Sequence, residues 1–467
     1  MFYICKEMKR AIFNPQHDMC LADGSGSFIP PAAILEFARK CAWVERFMCG
    51  GESGEECGAC EDGGLPAEGE QGAVTSIVPW GWNRCLKESL IKEGVPRELL
   101  PDDVQLDFIR EASRRETALE LLEFLHGEGG YAGGNGFIFS RESDQVAKDD
   151  QMAEGEQVTE SGQMPKCEQA SECEQVADDC GTFSSVPVIP SNYRIAAHSM
   201  EEIEKFLQER GRVVLKAPLS GSGKGVRFVA GELMETDRGW CKRILQRQGA
   251  VIVEQRMEIL KEFAMLFEVV ECVPGGGVAG GSMPAGNSRV KFRGYSLFYA
   301  SNGAYKGNLL ASNEFIEEHL CKYIPLEELR RIRLRVERFL QEKLAGRYVG
   351  FVGVDQFVAE AFRVAEESQP AGASESLVAA ESRGTAESMV AAESQESAVV
   401  GHQADGLQKA DKGSSGRKYL WNPAMEMNLR MTMGLVARNI YDFHREEFQL
   451  GEATHCFEPE RGIFPVE

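Results

Sequence analysis

The sequence predicts a mixed α+β protein: a small α/β block, then a larger mixed α+β region, interrupted by three acidic insertions. Three observations carry this. The chain has 467 residues, beyond the ~250–300 at which a single core stops growing, so several lobes are expected. Helical and strand patterns alternate without the regular strand–helix–strand cycle of a doubly wound sheet, and several strands follow one another directly. The net charge of −22 is confined to a few stretches.

Those stretches are Gly50–Gly72, Arg141–Cys180 and Glu366–Gly416. They hold seven acidic and no basic residues, twelve and three, and nine and three, which together make up the whole excess. They are rich in Gly, Ser, Glu and Gln and poor in aromatic residues, and two carry imperfect repeats, such as Val378-Ala-Ala-Glu-Ser and Val390-Ala-Ala-Glu-Ser. Such segments bury too little apolar surface to offset chain entropy, so disordered insertions are expected, with transient helix as the alternative for the Ala/Glu-rich third. The remaining chain is formally neutral, which argues against a general nucleic-acid binder. No stretch approaches ~18 uncharged apolar residues, so no membrane span is expected. The first residues show no secretory pattern, and a cytoplasmic protein with reduced thiols is the expectation. Cys57-Gly-Ala-Cys60 offers two ligands where a zinc site needs about four.

The elements follow in order. Ala11-Ile-Phe-Asn reads as a short strand ending in a turn. Pro31–Met48 has helical spacing, with Ile34, Leu35, Phe37, Ala38 and Ala42 on one side. Val74–Pro79 is a strand and Asn83–Glu93 a helix. One long amphipathic helix is expected over Asp107–Leu125, carrying Arg110, Arg114 and Arg115. The next block has strands at Val213–Lys216, Val226–Val229 and Ala250–Glu254, with a helix at Asp237–Arg247. Strands at Phe263–Glu271 and Val290–Ser301, a helix at Leu326–Leu344, strands at Tyr348–Ala359 and Lys418–Asn428 and a closing helix at Thr432–His444 complete it. Three domains are expected, over residues 1–105, 106–260 and 261–467, with insertions at 50–72, 141–182 and 366–416.

Lys216-Ala-Pro-Leu-Ser-Gly-Ser-Gly-Lys-Gly-Val is the sharpest local signal. Small residues let backbone N–H groups approach phosphate oxygens, and Lys216 and Lys224 supply positive charge. A tight hairpin loop with surface lysines would show the same composition. A P-loop is not supported: aligned on Gly223-Lys224 it needs Gly and Ser or Thr where the chain has Pro218 and Gly225. A strand, not a helix, follows the loop, so a dinucleotide fingerprint fits poorly.

Two later segments complement the loop. Val352-Gly-Val-Asp-Gln-Phe-Val is an apolar strand with one carboxylate, Asp355, which is costly there unless paired or bound to a cation. In Pro423-Ala-Met-Glu-Met-Asn-Leu-Arg, Glu426 and Asn428 stand two apart on a strand and share a face, with Arg430 next on it if the strand continues. Oxygen donors of this kind suit Mg²⁺ (or Mn²⁺) beside phosphate oxygens; a polar edge of a half-buried sheet is the alternative. Upstream, the strand ending at Glu254 and the strand starting near Glu262 leave a junction whose backbone can meet an adenine edge, with Glu262 able to accept from ribose hydroxyls.

This ordered set resembles the ATP-grasp superfamily: Lys216 before a small-residue loop, Val253-Glu254 before a short link to Glu262-Phe263, Asp355 on a strand, and Glu426-Met-Asn428 on the next. The resemblance covers about Ala112 to His444 without the insertions, and the preceding block is similar to a preATP-grasp domain. It implies two α+β lobes clamping ATP. Lys216 and the loop of Ser220, Gly221, Ser222, Gly223, Lys224 and Gly225 would hold the phosphates. Glu254, Gln255 and Met257 would line adenine, and Glu262 would bind ribose. Asp355, Glu426 and Asn428 would hold Mg²⁺. Where the family places an earlier phosphate-binding Lys, this chain offers Arg114 or Arg115. Some members carry an Arg two residues before the metal Asp, where this chain has Gly353. That leaves Arg430 and Arg293 as candidates for catalytic oxyanion stabilisation.

The implied activity is ATP-dependent ligation of a carboxylate with an amine or thiol through an acyl phosphate. A nucleotide-binding interaction protein with vestigial activity and a phosphotransferase on the same fold are the alternatives. The implied partners are a small carboxylate and a small amine, and a homodimer is a further expectation. Asn14-Pro-Gln-His-Asp18, Ser27-Phe-Ile-Pro-Pro31 and Pro79-Trp-Gly-Trp-Asn83 are candidates for the substrate side, or for turn and packing roles.

Overall fold

A computed structural model describes residues 8–49, 74–127, 188–220, 225–271, 288–301, 304–360 and 419–466. The three acidic insertions, with Cys57 and Cys60, lie outside the described residues.

The N-terminal block is a parallel pair flanked by helices. β1 (Met8–Ile12) pairs with β2 (Val74–Pro79). α1 (His17–Asp23) and α2 (Ala32–Lys40) lie between them in sequence, and α3 (Arg84–Lys92) follows. Asn83 starts α3 by accepting from the Leu86 N–H at 3.0 Å.

The single helix expected over Asp107–Leu125 is two. α4 (Asp103–Ala112) starts in a capping box between Asp102 and Gln105, and α5 (Arg115–Gly127) begins three residues after α4 ends. The helical ladder is interrupted because the Arg115 backbone N–H donates to the Pro218 carbonyl at 3.0 Å. A tertiary acceptor outcompetes the local one, and the chain turns toward the Gly/Ser loop.

The first lobe contains β3 (Arg194–Ala197), α6 (Met200–Arg210), β4 (Arg212–Lys216), β5 (Val226–Ala230), α7 (Glu235–Gln248) and β6 (Val251–Gln255). Its sheet runs β3-β6-β4-β5, antiparallel throughout. Val213, Leu215, Val251 and Val253 pack on Ile203, Phe206 and Leu207 of α6 and on Trp240 and Cys241 of α7. The period of two therefore sends Val214 and Lys216 to the uncovered face.

The second lobe is an antiparallel sheet ordered β11-β10-β7-β8-β9-β12-β13. Its strands are β7 (Ile259–Glu271), β8 (Ser288–Ser301), β9 (Ala304–Leu310), β10 (Gly350–Glu360), β11 (Tyr419–Asn428), β12 (His455–Glu458) and β13 (Gly462–Pro465). α8 (Asn313–Leu320) and α9 (Leu326–Leu344) pack on one face, above the buried Phe263, Met265 and Phe267. On the other face, Ala264 and Leu266 join Leu435, Val436 and Ile440 of α10 (Met433–His444). That cluster also takes in Phe13, Val44, Phe47 and Trp80, so the N-terminal block shares its core with the large sheet.

The boundaries expected at 105/106 and 260/261 fall inside α4 and just inside β7. All described residues belong to one unit drawn from Met1–Gly130 and Val186–Glu467. Among them, no helix is long and apolar enough to cross a membrane.

Candidate functional site

A cleft of about 1200 Å³ opens between the uncovered face of the first-lobe sheet and the face of the large sheet that carries Glu262. The register fixes which side chains meet there. Asp355 on β10 stands opposite both Glu426 on β11 and Ala264 on β7, and Phe357 stands opposite Glu262. Side chains directly opposite share a face, so Asp355, Glu426 and Glu262 come together although they are distant in sequence.

The metal candidates are joined by hydrogen bonds. Asn428 Nδ2 donates to Asp355 Oδ2 at 3.0 Å, and Arg430 Nη2 donates to Asn428 Oδ1 at 3.0 Å. Burial, then the Glu426 charge, push the Asp355 carboxyl up to about 7. The Glu262 carboxyl is also raised, by burial and against the opposing pull of Lys216. Both carboxyls are disfavoured as anions chiefly because they are buried, and a cation bound beside Asp355 and Glu426 would offset that cost. Among the described residues no three His, Cys, Asp or Glu side chains enclose a metal ion by themselves. Two carboxylates and an amide fit an ion that completes its shell with water and phosphate oxygens, as Mg²⁺ does.

Lys216 ends β4 and reaches Glu254 Oε2 at 2.6 Å. Glu254 is only 5% exposed, and Arg194 Nη1 lies 3.7 Å from its other oxygen. Its carboxylate is therefore committed to two cations. What residues 254–257 present to the cleft includes the rim at Gln255, Arg256 and Met257, with Val214, Phe228, Tyr193, Phe357 and Met425 as apolar walls.

Of the two upstream arginines, only Arg115 lines the cleft. Its Nη1 donates to the Ala217 carbonyl at 2.5 Å and to Ser220 Oγ at 2.7 Å, and its Nη2 reaches both Glu426 oxygens at 3.0 and 3.1 Å. One buried guanidinium thereby ties the phosphate-loop candidate to the metal-strand candidate. Arg114 turns away, to Glu116 and the Gln248 carbonyl. The loop neck is closed by Ala217 N–H donating to the Gly225 carbonyl at 3.0 Å. Gly225 has φ +89°, and a Cβ there would sit 2.9 Å from Ser220 Cβ, so glycine is required on both counts. Gly221, Ser222, Gly223 and Lys224 lie outside the described residues.

The two oxyanion candidates separate. Arg430 lies in the cleft, donating to Asp18 Oδ1 at 2.9 Å and lying 5.9 Å above the Trp80 ring. Arg293 is not among the cleft-lining residues. It is the extra residue where the β7–β8 register slips, between Gly294, opposite Leu266, and Phe292, opposite Phe267, and it pairs with Glu268 at 3.3 Å. The bulge, invisible in the sequence, aims it elsewhere.

The N-terminal motifs divide between site and packing. Asp18 and Trp80 reach the cleft. Asn14, His17 and Asn83 are buried and knit the block together: Asn14 Nδ2 donates to the Gly81 carbonyl at 2.9 Å, and Asn83 Nδ2 lies 3.2 Å from His17 Nδ1. Burial pushes the His17 imidazole down to about 4. Gly81 is needed because a Cβ there would lie 2.6 Å from that ring.

Arg194 carried no signal in the sequence. It is 2% exposed and donates to the carbonyls of Ala118, Ala424 and Met425 at 2.5, 2.6 and 3.0 Å, fixing β3 to α5 and β11 beside Glu254. Ser296 and Asn308 face the cleft with their hydroxyl and amide hydrogen-bonded to each other, and were also missed.

No family model and no curated protein sequence matches the chain. Solved structures similar to it include an ADP complex of N5-carboxyaminoimidazole ribonucleotide synthetase, at 13% identity and a TM-score of 0.31, covering 75% of this chain and 66% of that one. Biotin carboxylase from Campylobacter jejuni with β,γ-ATP matches at 13% identity and a TM-score of 0.30, covering 61% and 46%. N5-carboxyaminoimidazole synthetase from Staphylococcus aureus with ADP matches at 14% identity and a TM-score of 0.25, covering 37% of each chain. The chain thus spans less than half the length of the latter two. The mixed α+β class of this chain rests on its own helices and sheets. What its site can do is decided by its own residues.

Proposed function

We propose that this chain binds ATP with Mg²⁺ (or Mn²⁺) in the cleft and uses it to join a carboxylate to an amine or thiol. The observation that carries this is the convergence of Asp355, Glu426 and Asn428, from two adjacent strands, beside Arg115 and Lys216 in one cleft. Triphosphate chemistry needs oxygen donors for the cation and fixed positive charge for the transferred phosphoryl group, held in place before reaction.

Each side chain has a task its position supports. Asp355, Glu426 and Asn428 would hold the cation, which when bound offsets charge on the β- and γ-phosphates. Lys216, from the first-lobe sheet, and Arg115, at the start of α5, face the same space and would neutralise phosphate oxygens. Arg115 already bonds Glu426, so it would link the strand that holds the cation to a phosphate oxygen. The apolar walls around Gln255 to Met257 suit an adenine ring, and Glu262, on the cleft face of β7, suits ribose hydroxyls. The far end, with Asp18, Trp80, Ser296, Phe298 and Asn308, would seat the acceptor. In the reaction the carboxylate oxygen attacks the γ-phosphorus and ADP leaves. The amine or thiol then attacks the acyl carbon, releasing phosphate and a proton. Arg430, held by Asp18 and Asn428, would steady the acyl oxygen.

The test is ADP release with Mg-ATP and pools of amino acids and small carboxylates. Substrate-dependent ADP release that falls at least about a hundredfold in Glu426→Ala is expected. Full ATP-dependent turnover by Glu426→Ala would end the metal assignment.

A further inference from the structure

A second cluster of charge lies at the edge of the same cleft and has no task in the reaction above. Lys261 precedes Glu262 on β7, so the strand alternation turns it to the opposite face, the one α8 and α9 cover. Glu262 pairs with Phe298, which sets Lys261 beside Tyr299 of β8. His319 is the second-last residue of α8, and Lys322 follows in the turn before α9. Lys261, His319, Lys322, Tyr299 and Tyr323 all line the cleft.

These cations lack counter-ions. Among the described residues, Lys261 and Lys322 make no hydrogen bond or ion pair, and His319 Nε2 is buried without a partner. The nearby acids are engaged elsewhere or face elsewhere: Glu317 binds Arg330 at 2.8 Å, Glu262 faces Lys216 across the cleft, and Glu314 and Glu318 are exposed. The cluster also suppresses its own charge. Burial, then Lys261 and Lys322, push the His319 imidazole down to about 4, and burial, then Lys322, lower the Lys261 ammonium. On one side the Tyr323 ring is fixed edge-on against Tyr419, with centroids 5.3 Å apart. Lys261, half-buried and unpaired at the cavity wall, costs free energy that a dianion would recover, and the exposed Lys322 adds a second ammonium close enough to act on both Lys261 and His319. Two point-charge ammonium groups and an imidazole donor suit the compact phosphate group better than a planar carboxylate.

We infer that Lys261, His319 and Lys322 form a phosphate-binding subsite, separate from the triphosphate region at Lys216. It would take either free phosphate or the phosphate of a monoester ligand. It does not depend on nucleotide binding at Lys216, and its test is chosen accordingly.

The His319 ring signals of the full chain, identified among the seven histidines by their loss in His319→Gln, are followed by NMR during titration with inorganic phosphate and with glycerol 3-phosphate. The expected result is a saturable shift with a rise of about one pH unit in the His319 midpoint. Lys261→Met and Lys322→Met should each weaken phosphate about tenfold, and Lys216→Met should leave the response in place. Tighter binding of the monoester would identify a ligand's phosphate as the occupant, and equal or tighter inorganic phosphate the free ion. No His319 shift, unchanged affinity in both lysine variants, or loss of the response in Lys216→Met would overturn the assignment.

Discussion

Replacing Asp355 with asparagine should remove a pH dependence of stability whose sign and size follow from the geometry. The Asp355 carboxyl is raised to about 7 by burial and by Glu426 across the strand pair. The folded protein therefore keeps a proton that the unfolded chain releases near pH ~4. The stability contributed by that proton is complete below the unfolded value and is lost as pH rises through about 7. The full difference corresponds to at most about 4 kcal/mol. Asp355 retains partial exposure to the cleft, and water there screens the charge, so about 2 kcal/mol is expected. Across a protein of this size that is a few degrees in Tm. His17 acts in the same window with the opposite sign: its imidazole is lowered to about 4, so its contribution is present at high pH and lost as pH falls. The informative quantity is accordingly the difference between wild type and Asp355→Asn. Thermal melts from pH 4 to 8 without divalent ions should show wild type losing stability relative to the variant as pH rises. Mg²⁺ at pH 8 should raise the wild-type Tm and leave the variant unchanged. Parallel curves, or an equal Mg²⁺ response in both, would refute the charge crowding at this strand pair.

Two further outcomes test the cleft. Arg115→Lys keeps the charge but cannot span Ser220, the Ala217 carbonyl and Glu426 together, so stability should fall by about 2 kcal/mol in denaturant melts and ATP should bind at least tenfold more weakly by calorimetry. Arg293→Ala removes only the partly exposed pair with Glu268, so ATP affinity should stay within about twofold and stability within about 1 kcal/mol, read by the same two measurements.

Much of the fold was legible because period and length are strong signals. Leu326–Leu344 was expected and observed with the same bounds, and its Leu329, Ile332, Val336 and Leu340 are buried at helical spacing. Thr432, expected as the first residue of the closing helix, is its cap, accepting from the Leu435 N–H. The short strands Arg194–Ala197, Ala304–Leu310, His455–Glu458 and Gly462–Pro465 went unread, because too few residues carry an alternation and their pairing partners are remote. The break at Ser113 went unread because its cause is an acceptor about a hundred residues away, the Pro218 carbonyl.

The sequence by itself determined which residue types could meet: an acid in an apolar strand, an acid and an amide two apart, a lysine closing a strand before glycines. Those are local facts of period and chemistry. Only the tertiary structure decided which of two adjacent arginines enters the cleft, that Arg293 is turned aside, and that Arg194 holds the lobes' strands beside Glu254. Each depends on strand register or on a distant carbonyl. A one-residue bulge or a single long-range hydrogen bond reverses where a side chain points without leaving any trace in the pattern of residues around it.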